Sequence, residues 1–262
     1  MTPFSRLMAG MTEAGDALKV FVSDDWLQGR TTYGGLSAAL CARAAEVAVP
    51  DLPPLRSAQF SFIGPASGWL EARPAVLRRG KSAVCVGVDL TSDGAVATRA
   101  VLTYGAARES RLSYQGKPFP RAADVDDSPD FFGGRQGPTF SQHFELRAAG
   151  GVLPMSGSSE PEYVIWVRHR DGAAGSGPVS LLALADAPPP TAMALLKEFG
   201  PISTMTWMVD FTPEAHRGVT GWTLLRMHAE DIGEGYSTQE TAVWSGTGRL
   251  LALSRQTIAL FV

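Results

Sequence analysis

The chain has 262 residues, 45% of them hydrophobic and 19% charged, with 28 Gly and 18 Pro, a globular composition sufficient for one large core or two smaller domains. A formal net charge of −3 offers no electrostatic case for nucleic-acid binding. Cys41 and Cys85 are the only cysteines, which excludes a disulfide scaffold and a Cys-rich zinc site and suits a reducing compartment. The N-terminal stretch MTPFSRLMAGMTEAGDALKV carries acids and no unbroken apolar core, and no run approaches the ~18 apolar residues that span a bilayer. The expectation is a soluble cytoplasmic protein without a signal peptide or membrane insertion.

Taken in order, residues 17–27 alternate loosely through Leu18, Val20 and Val22 and predict one or two short strands. GRTTYGG at 29–35 predicts a turn or loop. From Leu36 to Val49 Ala, Leu and Cys dominate, with Arg43 and Glu46 the only charges, so a mostly buried helix is expected, ended by Pro50, Pro53 and Pro54. Four strands follow at 56–63, 69–77, 82–90 and 96–104, with hairpin turns at Arg79-Gly80-Lys81 and Ser92-Asp93-Gly94. Residues 108–138 are rich in Asp, Pro, Gly and Ser and predict a surface linker. The second half repeats the plan, with strands at 140–147 and 162–169, a short apolar helix at 179–185, and closing strands at 202–211, 222–231, 237–245 and 250–262.

Three pairs of stretches align between the halves: Gly68-Trp69 with Gly221-Trp222, Gly80-Lys81-Ser82 with Gly235-Tyr236-Ser237, and Asp93-Gly94 with Thr247-Gly248. Each is a turn followed by a strand at nearly the same interval, which implies two copies of one unit, a helix laid across an antiparallel sheet. The alternative is that any meander carries Gly at such intervals.

The chemistry centres on LLALADAPPP. Asp186 is a carboxylate in apolar company, placed where Pro188, Pro189 and Pro190 stop the helix. Burying a carboxylate is costly unless it is paired or hydrogen-bonded, so Asp186 either caps or pairs structurally or does chemistry. Familiar motifs are absent. Gly80-Lys81-Ser82 lies in a hairpin and lacks the Gly a phosphate-binding loop needs where Ala75 stands. No Gly-x-Ser-x-Gly elbow occurs, and His143, His169, His216 and His228 show no paired ligand spacing, so no metal site is expected. His143, His169 and His228 are expected on strand surfaces or ends. Hydrolysis by this chain would have to activate water directly, with Asp186 as base. Ser203, Thr204, Thr206, Ser254 and Gln256, polar residues in apolar strands, are candidates to position that water, although strand Thr and Gln also occur for purely structural reasons.

The stretches TTYGGLSAALCARAAE, RSAQFSFIGPA, VLRRGKSAVCVGVDLTSDGAV, LLALADAPPPTA, ISTMTWMVDF and GTGRLLALSRQ, in this order and spacing, resemble the acyl-CoA thioesterase II group of the thioesterase-like superfamily. The resemblance covers most of the chain outside 108–138. It implies an α+β fold of two tandem hotdog units, each a central helix wrapped by an antiparallel sheet, with the sheets joined side by side. The boundaries are then residues 1–107 for the first unit, 108–137 for the linker and 138–262 for the second unit, which carries the catalytic residues. In that group an Asp, a Thr or Ser and a Gln orient and activate the hydrolytic water. Asp186 and Gln256 match the Asp and Gln. Thr204 matches the Thr, with Thr206 close enough to compete, because ISTMTWMVDF departs from the group's more His- and Trp-rich version. Gly34 and Gly35 match a paired Gly at the first helix, where backbone N–H groups can approach the thioester carbonyl; a plain loop-to-helix turn is the other reading. Arg78, Arg79 and Lys81 are candidate contacts for CoA phosphates, against the reading of a solvated hairpin tip.

The expected activity is hydrolysis of an acyl-CoA to free acid and CoA in fatty acid metabolism, without a cofactor or metal, by a homodimer or homotetramer. The rivals are a hotdog hydratase or dehydratase on acyl thioesters, for which no His falls near Asp186 in sequence, and a nonenzymatic acyl-CoA-binding protein.

Overall fold

In the computed structural model, which describes residues 1–262, side-chain alternation decides which face each strand buries. After a short helix α1 (Phe4–Ala9) and a three-residue strand β1 (Thr12–Ala14), strand β2 (Ala17–Val22) buries Leu18, Val20 and Val22 and turns Phe21 outward. A two-rung hairpin, β3 (Leu27–Gln28) and β4 (Thr31–Thr32), leads into helix α2 (Gly34–Ala48). Helix α2 starts two residues before the predicted Leu36, so the paired glycines form its first turn.

The first meander is β5 (Leu55–Phe62), β6 (Gly68–Arg79), β7 (Ala83–Ser92) and β8 (Ala95–Gly105). Its β7–β8 turn takes Asp93 and Gly94 to φ of 50° and 80°, the left-handed pair that an Asp-Gly hairpin needs. The second unit comprises β9 (Phe144–Gly151), β10 (Glu162–His169), α3 (Pro178–Ala185), β11 (Ile202–Phe211), β12 (Thr223–Gly233), β13 (Tyr236–Ser245) and β14 (Leu250–Leu260). The strand expected at 140–147 begins only at Phe144, because 139–143 form a 3-10 turn.

All strands except the β3–β4 hairpin join one sheet in the order β1-β2-β6-β7-β8-β5-β11-β14-β13-β12-β10-β9. The internal repeat is written in that order. The run β2-β6-β7-β8-β5 is repeated as β10-β12-β13-β14-β11, and the two copies meet antiparallel along β5 and β11, where Phe60 faces Trp207. Two tandem hotdog units thus share one sheet, α2 packs on α3, and one continuous apolar core runs through both. Leu36 and Leu40 of α2 lie fully within it; truncating either to Ala would cost about 2–5 kcal/mol. No helix is long and apolar enough to cross a membrane.

The stretch between the units is mostly irregular, yet it does not simply lie on the surface. Main-chain bonds join Ala123 to Ala149, Phe131 to Leu146 and Ala148 to Pro129, so it runs along β9 and covers that edge of the sheet. Phe131 is buried. At the other edge β1 is three residues long. Each outer edge is therefore either short or covered.

Tyr33 fixes how the helices meet. Its ring stacks on Phe140 with centroids 3.9 Å apart, and its hydroxyl donates a 2.8 Å hydrogen bond to the carbonyl of Ala183. The start of α2 is thereby held against the end of α3.

Candidate active site

Helix α3 ends where the sequence predicts, with Asp186 as its C-cap and the proline run beyond it. The end of α3 abuts the start of α2, and the Asp186 carboxylate turns toward it. The backbone N–H of Gly35, in the first turn of α2, favours the ionised form of this carboxylate. Gly34 lets it come close: a Cβ there would lie 3.0 Å from Oδ2 of Asp186 and 3.5 Å from the ring of Phe62. The helix N-terminus adds a partial positive charge that favours the ionised form.

The side-chain donor to the carboxylate comes from β14. Gln256 Nε2 donates to Asp186 Oδ1 at 2.7 Å. Gln256 is buried because β14 turns Ser254, Gln256 and Ile258 toward the helices. Burial raises the Asp186 pKa from the ordinary carboxylate range to about 7, against the opposing pull of the Gln256 and Gly35 donors. A carboxylate that titrates near neutrality beside a helix N-terminus is suited to taking a proton from water.

Thr204 and Thr206 are separated by an irregularity in the β11–β14 pairing. Thr204 lies opposite Ile258 and Thr206 opposite Thr257. The bulge thus sends Thr204 to the inner face, which carries Gln256, and Thr206 to the exposed outer face, level with Ser61. Next to them on the inner face, Trp207 lies opposite Gln256, and its buried indole N–H has no partner.

The fold does not bring the basic hairpin to this place. Arg79 Nη2 donates to the carbonyl of Pro50 at 3.0 Å, beyond the C-terminal end of α2. Asp186 is at the other end, and fifteen residues of helix measure about 22 Å. Arg78 and Lys81, both exposed, line a cavity of about 220 Å³ with Cys85 and Thr103 at that far end. Arg78, Arg79 and Lys81 are therefore grouped with each other and not with Asp186.

Two residues of the site have no signal in the sequence. Gln239 on β13 is buried; its Oε1 accepts from the backbone N–H of Thr191 at 2.7 Å and from the Thr191 hydroxyl at 3.1 Å, and its Nε2 donates to Gln256 Oε1 at 3.0 Å. In STQETAV it reads as one polar residue of an alternating strand. Tyr33, inside the Gly-rich loop, likewise gives no hint of its burial.

The histidines stay out of this arrangement. His143, expected on a strand surface or end, is instead buried in the 3-10 turn, stacked on Trp26 at 3.8 Å and 3.1 Å from Asp25 Oδ2. His169 hydrogen-bonds the carbonyl of Ser180, and His216 that of Leu55. No His, Cys, Asp and Glu side chains converge in threes as a metal-holding group.

Comparison with known proteins agrees with the duplicated architecture. The chain is similar over its full length to a conserved protein of unknown function with a hotdog fold from Alicyclobacillus acidocaldarius, at 24% identity, 100% coverage of this chain, 99% of the other and a TM-score of 0.88. It is similar to an acyl-CoA thioesterase II from Mycobacterium marinum at 17% identity, with 98% and 97% coverage and a TM-score of 0.75. A dehydratase domain from Pseudomonas fluorescens is less similar, at 12% identity, 95% and 96% coverage and a TM-score of 0.53. These likenesses are of fold. Comparison with curated proteins gives no match. The sequence itself matches two family descriptions in tandem, the acyl-CoA thioesterase N-terminal domain over residues 22–105 and the acyl-CoA thioesterase C-terminal domain over residues 120–260. With more than half its length matched by the second of these alone, the chain belongs to the acyl-CoA thioesterase family.

Proposed function

We propose that the protein hydrolyses an acyl-CoA thioester by water activated at Asp186. The observation that carries this reading is the carboxylate itself, bonded by Gln256 Nε2 at 2.7 Å beside Gly34 at the start of α2, where burial pushes its pKa up to about 7. A water oxygen attacks the thioester carbonyl carbon while one water proton passes to the Asp186 carboxylate. The resulting tetrahedral oxyanion collapses, the C–S bond breaks, and the sulfur leaves with CoA, taking up a proton. The products are a free acid and CoA.

Within this reading Gln256 orients the base with one Nε2 proton and has the other for water. Thr204, on the same inner face, is the further hydroxyl for holding that water. The first turn of α2, Gly34 and Gly35, is the place for the thioester carbonyl, where helix-terminal N–H groups favour developing negative charge. The basic hairpin at the other end of α2 takes no part in the chemical step; Arg78, Arg79 and Lys81 are proposed only as contacts for the distant phosphates. The deciding experiment incubates the purified protein with acyl-CoAs of several chain lengths and follows free thiol. Release of CoA supports hydrolysis. Loss of enoyl absorbance without CoA release points to a hydratase, and tight binding without either points to a carrier.

Assembly into a homodimer or homotetramer is part of the same proposal. Its support is the outer face of β2 and β6, where Phe21 and Trp69 pack edge to face at 5.4 Å while exposed. Light scattering that gives a single 27.8 kDa particle at micromolar concentration would contradict it.

A further inference from the structure

We infer that Gln239 is a positioning residue that sets which way the Gln256 amide faces, and so presents a donor rather than an acceptor to Asp186. The inference rests on the reading of Asp186 as the base.

An amide side chain can face a partner with its oxygen or its nitrogen, and neighbouring groups decide between them. A backbone N–H has no such choice, since it only donates. The N–H of Thr191 lies 2.7 Å from Gln239, so the atom it meets has to be Oε1. That turns Nε2 of Gln239 toward Gln256, 3.0 Å away, and the atom it meets has to be Oε1 of Gln256. Nε2 of Gln256 is left to face Asp186 at 2.7 Å. One main-chain donor thus fixes the polarity of a relay that runs from Thr191 through two amides to the carboxylate.

The donor at the head of the relay is itself a product of the local sequence. Pro188, Pro189 and Pro190 have no N–H, and Thr191 opens a 3-10 turn whose first N–H groups have no partner within the turn. Its buried N–H needs an outside acceptor, and Gln239 supplies it. Thr191, Gln239 and Gln256 are 0%, 1% and 6% exposed, so bulk water does not replace a missing partner. With Gln239 removed, the Gln256 amide is free to turn. It would donate to an ionised Asp186 and accept from a protonated one, so the preference for the ionised base would be lost.

The test uses the full chain with Gln239→Met, which has a similar length, has no proton to donate to Gln256 and accepts only weakly. Gln239→Asn serves as the second variant: it keeps an amide but, one methylene shorter, does not bridge Thr191 and Gln256 together. Thr191→Val is the control, because it keeps the backbone N–H. Thermal unfolding checks that each is folded. The readout is the Asp186 side-chain carboxyl carbon, titrated by NMR and assigned by its loss in Asp186→Asn. Both Gln239 variants should raise its apparent pKa by roughly one pH unit, and Thr191→Val should leave it in place. Hydrolysis supplies the parallel readout: kcat about fivefold lower at pH 7, recovering toward wild type at pH 9, with KM within about twofold. A purely structural role would give no recovery with pH. A pKa unchanged in a folded Gln239 variant overturns the inference. A wild-type protein that releases no CoA overturns the hydrolase reading instead, and the titration still decides the relay.

Discussion

Gly34 and Asp186 are matched in size as well as in position. A methyl group on Gly34 would stand 3.0 Å from Oδ2 of Asp186, closer than ordinary van der Waals contact, with the Phe62 ring at 3.5 Å on the other side. Gly34 has an ordinary helical-side backbone and is not among the left-handed glycines. Ala there should therefore favour the helix, while forcing the carboxylate to move by a few tenths of an ångström. Gly34→Ala is expected to keep or raise Tm and to lower kcat by about tenfold, because displacements at the reacting group weigh heavily on rate. Wild-type turnover in a folded Gly34→Ala protein would show that the close approach is not needed.

The pKa of Asp186 sets a pH dependence with a definite sign. The base works ionised, so activity should rise with pH, level off above about 7 and fall about tenfold per unit below it. A kcat/KM profile flat from pH 5 to pH 8 would remove Asp186 from the role. Asp186→Asn should cut kcat by ~10²–10⁴-fold.

Stability should move the other way. The folded pKa lies above the usual carboxylate value, so the folded state binds more protons between about 4 and 7, and the native protein loses stability as pH rises through that window. Above pH 7 the ionised group is a standing cost that Asn lacks. Asp186→Asn is therefore expected to melt no lower than wild type at pH 8. A clear drop in its Tm at pH 8, with turnover retained, would mark Asp186 as a structural cap.

The two threonines of β11 should separate cleanly. Thr204→Ala is expected to lower kcat by several-fold to about a hundredfold, and Thr206→Ala to leave kcat within about twofold, since the bulge puts only Thr204 on the face of Gln256. Equal losses in both would mean that the face assignment does not govern catalysis.

At the other end of α2, replacing Arg78 and Lys81 with Ala should leave kcat unchanged, with any effect confined to KM. Steady-state kinetics on one acyl-CoA at two ionic strengths checks this, because contacts with phosphates weaken with salt. A fall in kcat alone would place the hairpin in the chemical step.

Much of this is legible in the residues. The strands alternate cleanly, Asp93-Gly94 names its turn, and the duplicated Gly positions announce a sheet that repeats its strand order. Asp186 stands out because a carboxylate between Ala185 and Ala187 has few reasons to exist. What stays hidden depends on distance along the chain. Gln239 looks like any polar strand residue until the N–H of Thr191, 48 positions away, is seen to need an acceptor. His143 turns inward because it packs on Trp26 from the other half of the chain. The hairpin basic residues read as candidate phosphate contacts, but the sequence does not say at which end of α2 the hairpin arrives. Arg79 answers that through Pro50.

The meeting of β5 with β11 makes the sheet nearly symmetric, but the helix junctions are not. Where α3 ends in Asp186, α2 ends in Val49; where α2 opens with Gly34 and Gly35, α3 opens with Pro178, which has no N–H to offer. Strand β8, the counterpart of β14, buries Ala97, Thr98, Ala100, Leu102 and Tyr104 and no amide. Two identical chains around a twofold would own two equal junctions, and every substitution would strike both. Joined in one chain, the copies diverge. One junction carries Asp186, Gln256 and the paired glycines and the other is packing, so the proposed reacting centre occurs once for each pair of folds.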